Sequence, residues 1–139
     1  MLAAWIMEII LALAPQYNVP PYLVAAIIIV ENEGNQYIMN INNTSYRESM
    51  QLNSSWFTDE NRHYTETIIR ESIQHLARLY SETKDISPNW FSAVIAFNCG
   101  LARLKSSEPL PLTVINYAHA VFNKWTEICP ERQRLYGGR

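Results

Sequence analysis

The sequence predicts an all-α or nearly all-α domain, and three observations carry that prediction. Apolar residues recur at helical spacing through most of the chain, and no stretch alternates with period two between hairpin turns. Proline and glycine stand at the edges of the apolar segments, where helices begin and end. Hydrophobic residues make up 48% of the 139 and charged residues only 17%, a balance that suits one compact domain with a real core. A chain of this length buries roughly two-thirds of the surface its unfolded form exposes.

The first helix is expected from Leu2 to Leu13. No basic residue precedes it and Glu8 interrupts it, so it reads as a core helix and not as a secretory leader. Pro15 and Gln16 end the run well short of the roughly 20 apolar residues a membrane span needs. After "APQYNVPP", Pro21 suits the first turn of a second helix that runs to Glu31. The β-branched run Ile27 to Val30 tempts toward a strand, but Ala25 and Ala26 beside the proline favour helix. With no polar face, this would be the central buried helix.

Residues 32 to 49, rich in Asn, Ser and Gly, read as an irregular loop that ends where "MQLNSSWF" starts a short apolar element. Ile69, Ile73, Leu76, Ala77 and Tyr80 mark one face of a helix from about Thr65 to Tyr80. Ser87 as N-cap and Pro88 as first helical residue would start the next, carrying Phe91, Val94 and Ile95 inward and stopping near Gly100. Val114, Tyr117, Ala118, Val121, Trp125 and Ile128 give the last helix, closed by Pro130, with a solvated tail from about 131. Nothing marks a linker or a repeat, so residues 1–139 are expected to form one domain.

Charge excludes some partners. The net charge is −2 and no Lys or Arg occurs before Arg47, so phosphate backbones find no basic face to bind, and nucleic acid is not an expected partner. His63, His75 and His119 lack a ligand spacing with Cys or acids and are read as solvated helix positions; no metal and no cofactor is assigned. Cys99 and Cys129 would pair only if the fold brought their Cα atoms within about 6 Å. Trp5, Trp90 and Trp125 are left to the core.

Three polar segments share a character that the rest of the chain lacks. "VENEGN" follows the central helix, "SMQLNSSWF" follows the loop, and "AFNCGLARL" closes a later helix. An acid such as Glu31 at the end of a buried helix is ordinary if it only reaches for water. It becomes chemically useful if it is held in an apolar pocket. Trp56 and Tyr117 suit core packing as well as ring stacking, and Asn98 before Cys99 and Gly100 suits a helix-ending amide.

Taken in order, these segments resemble the lysozyme-like superfamily, and most closely the soluble lytic transglycosylase domain related to goose-type lysozymes, across most of the chain. "YNVPPYLVAAIIIVEN" is similar to the family segment in which a helix after V-x-P ends in Glu-Ser, so Glu31 inherits the role of catalytic acid. "SMQLN" resembles the Gly-Leu-Met-Gln-Leu segment that lines the substrate groove, with Met50 and Gln51 in the matching places. "IAFNCGLARL" is similar to Ala-Tyr-Asn-x-Gly, and "NYAHAV" to a downstream segment whose Tyr, here Tyr117, stands near the acid. The resemblance implies a lysozyme-like fold, a substrate groove, and peptidoglycan glycan strands as partner. It leaves open a free enzyme or a part of a larger phage or secretion machinery, acting at the cell wall. Four positions depart from the family pattern: Asn32 for Ser, Glu48 and Ser49 for Gly-Leu, and Phe97 for Tyr.

Glycoside cleavage needs a proton for the leaving oxygen near neutral pH, which a carboxyl supplies when burial raises its pKa toward about 6, a magnitude known from lysozyme itself. Gln51, Asn53 and Asn98 offer amides that match the acetamido groups of N-acetyl sugars, and Tyr46, Trp56 and Tyr117 offer flat faces for the rings. Glu48 is the candidate second carboxylate, with Glu33 and Asp59 as less favoured ones; Glu33 is expected to face solvent. A lytic transglycosylase needs no second acid, because the sugar's own 6-hydroxyl is the nucleophile. Anhydro-muropeptides are therefore the expected product. A hydrolysing lysozyme, or a catalytically silent glycan-binding domain on the same fold, is the alternative that the departures leave open.

Overall fold

The computed structural model describes residues 2–32, 62–87 and 89–130. Among these residues it contains six α-helices and no strand: α1 (Ala4–Leu13), α2 (Pro21–Glu31), α3 (Arg62–Thr83), α4 (Phe91–Cys99), α5 (Leu101–Lys105) and α6 (Leu112–Ile128). The described residues are therefore all-α, as the sequence predicts. The loop and the element beginning "MQLNSSWF" lie outside the described residues, as does the tail from 131.

Helix α1 begins at Ala4, two residues later than the sequence implies, and passes into a 3₁₀ turn over Ala14–Tyr17. Asn18 ends that turn in the left-handed region at φ 59°, a conformation that Asn tolerates better than other non-glycine residues. Pro20 and Pro21 then launch α2, since a proline at the first helical position forfeits no hydrogen bond. Its bounds, Pro21–Glu31, are those expected from sequence. Leu23 to Ile28, Val30 and Glu31 are all buried, so this helix is enclosed on nearly every side, as an element without a polar face must be.

Helix α3 is longer than its apolar stripe suggested, reaching from Arg62 to Thr83. The extra turns hold on locally: the Thr67 hydroxyl donates to the His63 carbonyl, and the Thr83 hydroxyl to the Leu79 carbonyl at 2.8 Å. The expected start of α4 at Ser87 and Pro88 is corrected. The helix begins at Phe91, whose N–H donates to the Asn89 side-chain oxygen at 2.8 Å, while the Ser87 hydroxyl donates to the same oxygen at 2.6 Å. The Asn89 carboxamide has taken over the satisfying of early helix donors that sequence had assigned to Ser87. Pro88 lies outside the described residues.

Gly100 separates α4 from the short α5 with φ 93° and ψ 150°, a conformation nearly restricted to glycine. Beyond α5, Arg103 fastens the connection to α6 by donating to the Ser106 hydroxyl and to the carbonyls of Glu108 and Pro109. Pro111 then precedes the first residue of α6.

The main helix contacts form a closed circuit: α1 packs on α2, α2 on α6, α6 on α4, α4 on α3, and α3 on α1. One apolar cluster runs through it, including Ile10, Leu23, Ile27, Ile69, Ile73, Val94, Val114 and Val121. Aromatic rings close its rim. Trp125 is buried, with Phe122 edge-on to it, and Trp90 stacks on Tyr80 at 4.0 Å between ring centroids. Trp5 is only half-buried, with the Arg62 guanidinium above its ring, so it seals the α1–α3 contact and does not sit within the core. Both cysteines are buried and free.

Candidate functional site

Glu31 is the last residue of α2 and is buried, with 6% of its surface exposed. It is the only acid among the buried described residues. Its place follows from the sequence: ten residues of α2 before it carry no charge, and the apolar faces they present draw the helix inward to its very end. Burial disfavours the charged form of a carboxyl group.

The next residue closes the helix. The Asn32 backbone N–H reaches the carbonyls of Ile28 and Ile29 at 3.2 and 3.1 Å, and its side-chain Nδ2 donates to the Ile28 carbonyl at 2.6 Å. The Ile28 carbonyl thus accepts twice from Asn32, once from its backbone and once from its side chain. At φ −102° and ψ 3°, Asn32 is already leaving the helix.

Asn98 stands one turn from the opposite kind of ending, near the close of α4. It has no exposed surface, and neither its Oδ1 nor its Nδ2 finds a partner among the described residues. A buried amide without partners costs roughly 1–3 kcal/mol, so its retention calls for a reason beyond packing. Phe97 beside it is also buried, and the His75 ring lies 5.9 Å away, tilted by 43°. His75 is therefore not the solvated position that sequence implied. Half-buried against Phe97, it is held below its ordinary pKa, first by burial and then by the positive charge of Arg78. His63 and His119 are exposed as expected.

Tyr117 is 1% exposed and lies on α6, the helix that packs against both α2 and α4. The helices of Glu31 and Asn98 thus share one neighbour, and that neighbour carries Tyr117. Met50, Gln51, Asn53 and the candidate second carboxylate Glu48 lie outside the described residues, as do Glu33, Tyr46, Trp56 and Asp59. Sequence reasoning missed the clamp made by Asn32 and the placement of His75. An amide immediately after an apolar helix was a readable sign of the first. Only the packing of α3 on α4 reveals the second.

Among the described residues, no group of three or more His, Cys, Asp or Glu side chains is placed to hold a metal ion, and no helix is long and apolar enough to cross a membrane.

Glu31 thus ends an apolar helix, while the buried Asn98 and Tyr117 lie on α4 and α6. The chain belongs to the transglycosylase SLT domain family, which matches residues 8–110. That match contains Glu31, the segment from Glu48 to Asn53, and Asn98; Tyr117 falls beyond it. No curated protein and no solved structure matches the chain. Family membership carries a lytic transglycosylase-type function in general and implies peptidoglycan as substrate.

Proposed function

We infer that this chain is a peptidoglycan lytic transglycosylase that cleaves the β-1,4 bond between N-acetylmuramic acid and N-acetylglucosamine. Glu31 is the acid and then the base. The carrying observation is the burial of Glu31 at the end of an entirely apolar helix, since burial disfavours the charged form of a carboxyl group and a general acid acts by giving up a proton.

In the first step Glu31 gives its proton to the glycosidic oxygen as the bond to the muramic acid C1 breaks, and positive charge develops at that carbon. The carboxylate left behind then takes the proton of the muramic acid 6-hydroxyl. Its oxygen attacks C1 and closes a 1,6-anhydro ring. The proton count balances on one residue, and no water enters the product. A general acid of this kind contributes about 10²- to 10⁴-fold in rate. The reading assigns substrate binding to Met50, Gln51, Asn53, Asn98 and Tyr117, whose amides and ring suit N-acetyl sugars. The whole chain from 1 to 139 acts as one such domain, at the cell wall where this substrate lies.

Mass spectrometry of the products tests the reading. Anhydro-muropeptides are expected. Products that carry one added water and a reducible end, together with loss of activity in Glu48→Gln, support hydrolysis with Glu48 as second carboxylate instead. Binding to purified walls without release of fragments supports a silent glycan-binding domain.

A further inference from the structure

We propose that Asn32 is a positioning residue for Glu31: its carboxamide clamps the last turn of α2 and so fixes the acid in its buried place. The inference rests on the transglycosylase reading and adds to it a residue that departs from the family's Glu-Ser pattern.

A helix end lacks the hydrogen bonds that hold its middle, and its last turn frays unless side chains or a turn take up the open carbonyls. No basic residue occupies the last turn of α2, and every side chain from Leu23 to Val30 is apolar. Asn32 supplies two donors to one carbonyl, its backbone N–H at 3.2 Å and its Nδ2 at 2.6 Å, both to Ile28. This closes a ring from the residue after the acid to the residue three before it. Glu31 sits inside that ring, so its backbone cannot swing without breaking the side-chain bond. Fraying would move Glu31 out of its buried place and spread its carboxyl over several directions. A proton donor must lie within hydrogen-bonding reach of one oxygen, so such spreading lowers turnover more than binding.

Serine at this position also reaches the carbonyl four residues back, because a hydroxyl on a helix can donate there. Alanine cannot. Three variants, Asn32→Ala, Asn32→Ser and Glu31→Gln, are compared with the wild-type chain on soluble peptidoglycan fragments, reading kcat and KM for release of anhydro ends. Hydrogen exchange over residues 28–32 is measured in parallel. Asn32→Ala is expected to lower kcat about fivefold or more, the kinetic equivalent of one lost neutral hydrogen bond. Its KM should stay within about twofold, since uniform binding is untouched. Exchange over 28–32 should accelerate in Asn32→Ala, and Asn32→Ser should recover most of kcat.

Wild-type kcat in Asn32→Ala, with Glu31→Gln inactive, overturns the positioning role and leaves the transglycosylase reading standing. So does a loss in Asn32→Ala that Asn32→Ser fails to recover, because the effect then belongs to another property of the carboxamide. If the wild-type chain releases nothing, or Glu31→Gln releases product normally, the functional reading falls. Exchange then decides the clamp by itself, and unchanged exchange in Asn32→Ala overturns it.

Discussion

Helices α2 and α4 are both short, apolar and buried along nearly their whole length, yet they end in opposite ways. Helix α2 ends on backbone and side chain together: the N–H and the Nδ2 of Asn32, one residue past the acid, both reach back to Ile28. Helix α4 ends on the backbone: Gly100 donates its N–H to the Ala96 carbonyl at 2.7 Å and turns the chain at positive φ. The Asn98 carboxamide near that end is buried without a partner among the described residues. At α2 the capping amide is spent on the helix end itself, whereas at α4 the turn needs only a glycine backbone, and the Asn98 amide makes no bond to the described residues.

The largest expected effect breaks the comparison at its chemical end. Glu31→Gln keeps shape and burial and removes the exchangeable proton, so release of fragments from purified walls should fall by about 10² or more at equal folded protein. Near-normal clearing by that variant would return Glu31 to an ordinary helix-ending acid.

Gly100→Ala tests the backbone closure of α4. A Cβ added there meets no atom within 4 Å, so the cost is conformational alone. The φ of 93° with ψ of 150° should make the variant less stable by about 1–3 kcal/mol in urea denaturation. A smaller loss means that the chain escapes into another turn.

Asn98→Leu sharpens the contrast from the other side. Replacing a buried amide that has no partner among the described residues by an apolar group of similar size should stabilise the fold by about 1 kcal/mol or more while activity drops. Stability and activity moving in opposite directions is the sign of an amide kept for function. A loss of both would show that the carboxamide is structural after all.

The smallest effect lies between the two helices' surroundings, at His75. Its folded-state pKa lies below the ordinary 6.5, chiefly through burial and secondarily through Arg78. The unfolded chain therefore takes up the proton first as pH falls. The stabilisation that the neutral ring provides is present above about pH 6.5 and is lost as pH drops below that value toward the folded-state pKa. Stability measured between pH 7.5 and 5 should fall less steeply in His75→Gln than in the wild type.

The fold was largely legible because its signals are local. Pro21 and the unbroken apolar run set the bounds of α2, and the stripe from Ile69 to Tyr80 located α3, though not the hydroxyl-to-carbonyl bonds that extend it to Thr83. The start of α4 was misread because Ser87 and Pro88 satisfy the usual rules for a helix start, while the choice of Asn89 as acceptor depends on side-chain geometry. Helix α5 was missed because Gly100 reads as a stop, and five residues leave too little periodicity to announce a restart. In the site, the burial of Glu31 and Tyr117 follows from apolar patterning that sequence displays. What sequence withholds is which helices touch. His75 meets Phe97 across two helices, and such a pairing depends on crossing angles that no single segment encodes.

The partnership of α2 with α6 also sets an order in time. The two helices lie about 80 residues apart in the chain, and α6 begins at Leu112, beyond the last residue of the family match. During synthesis α2 emerges early and must wait, with its apolar faces uncovered, until α6 arrives to dock against it. Contacts of such long sequence separation close late and slowly. The segment that ends in the acid is thus the one most exposed to aggregation on the way to the native state. The helix that carries the acid completes its packing only when α6, the last helix of the described residues, is in place.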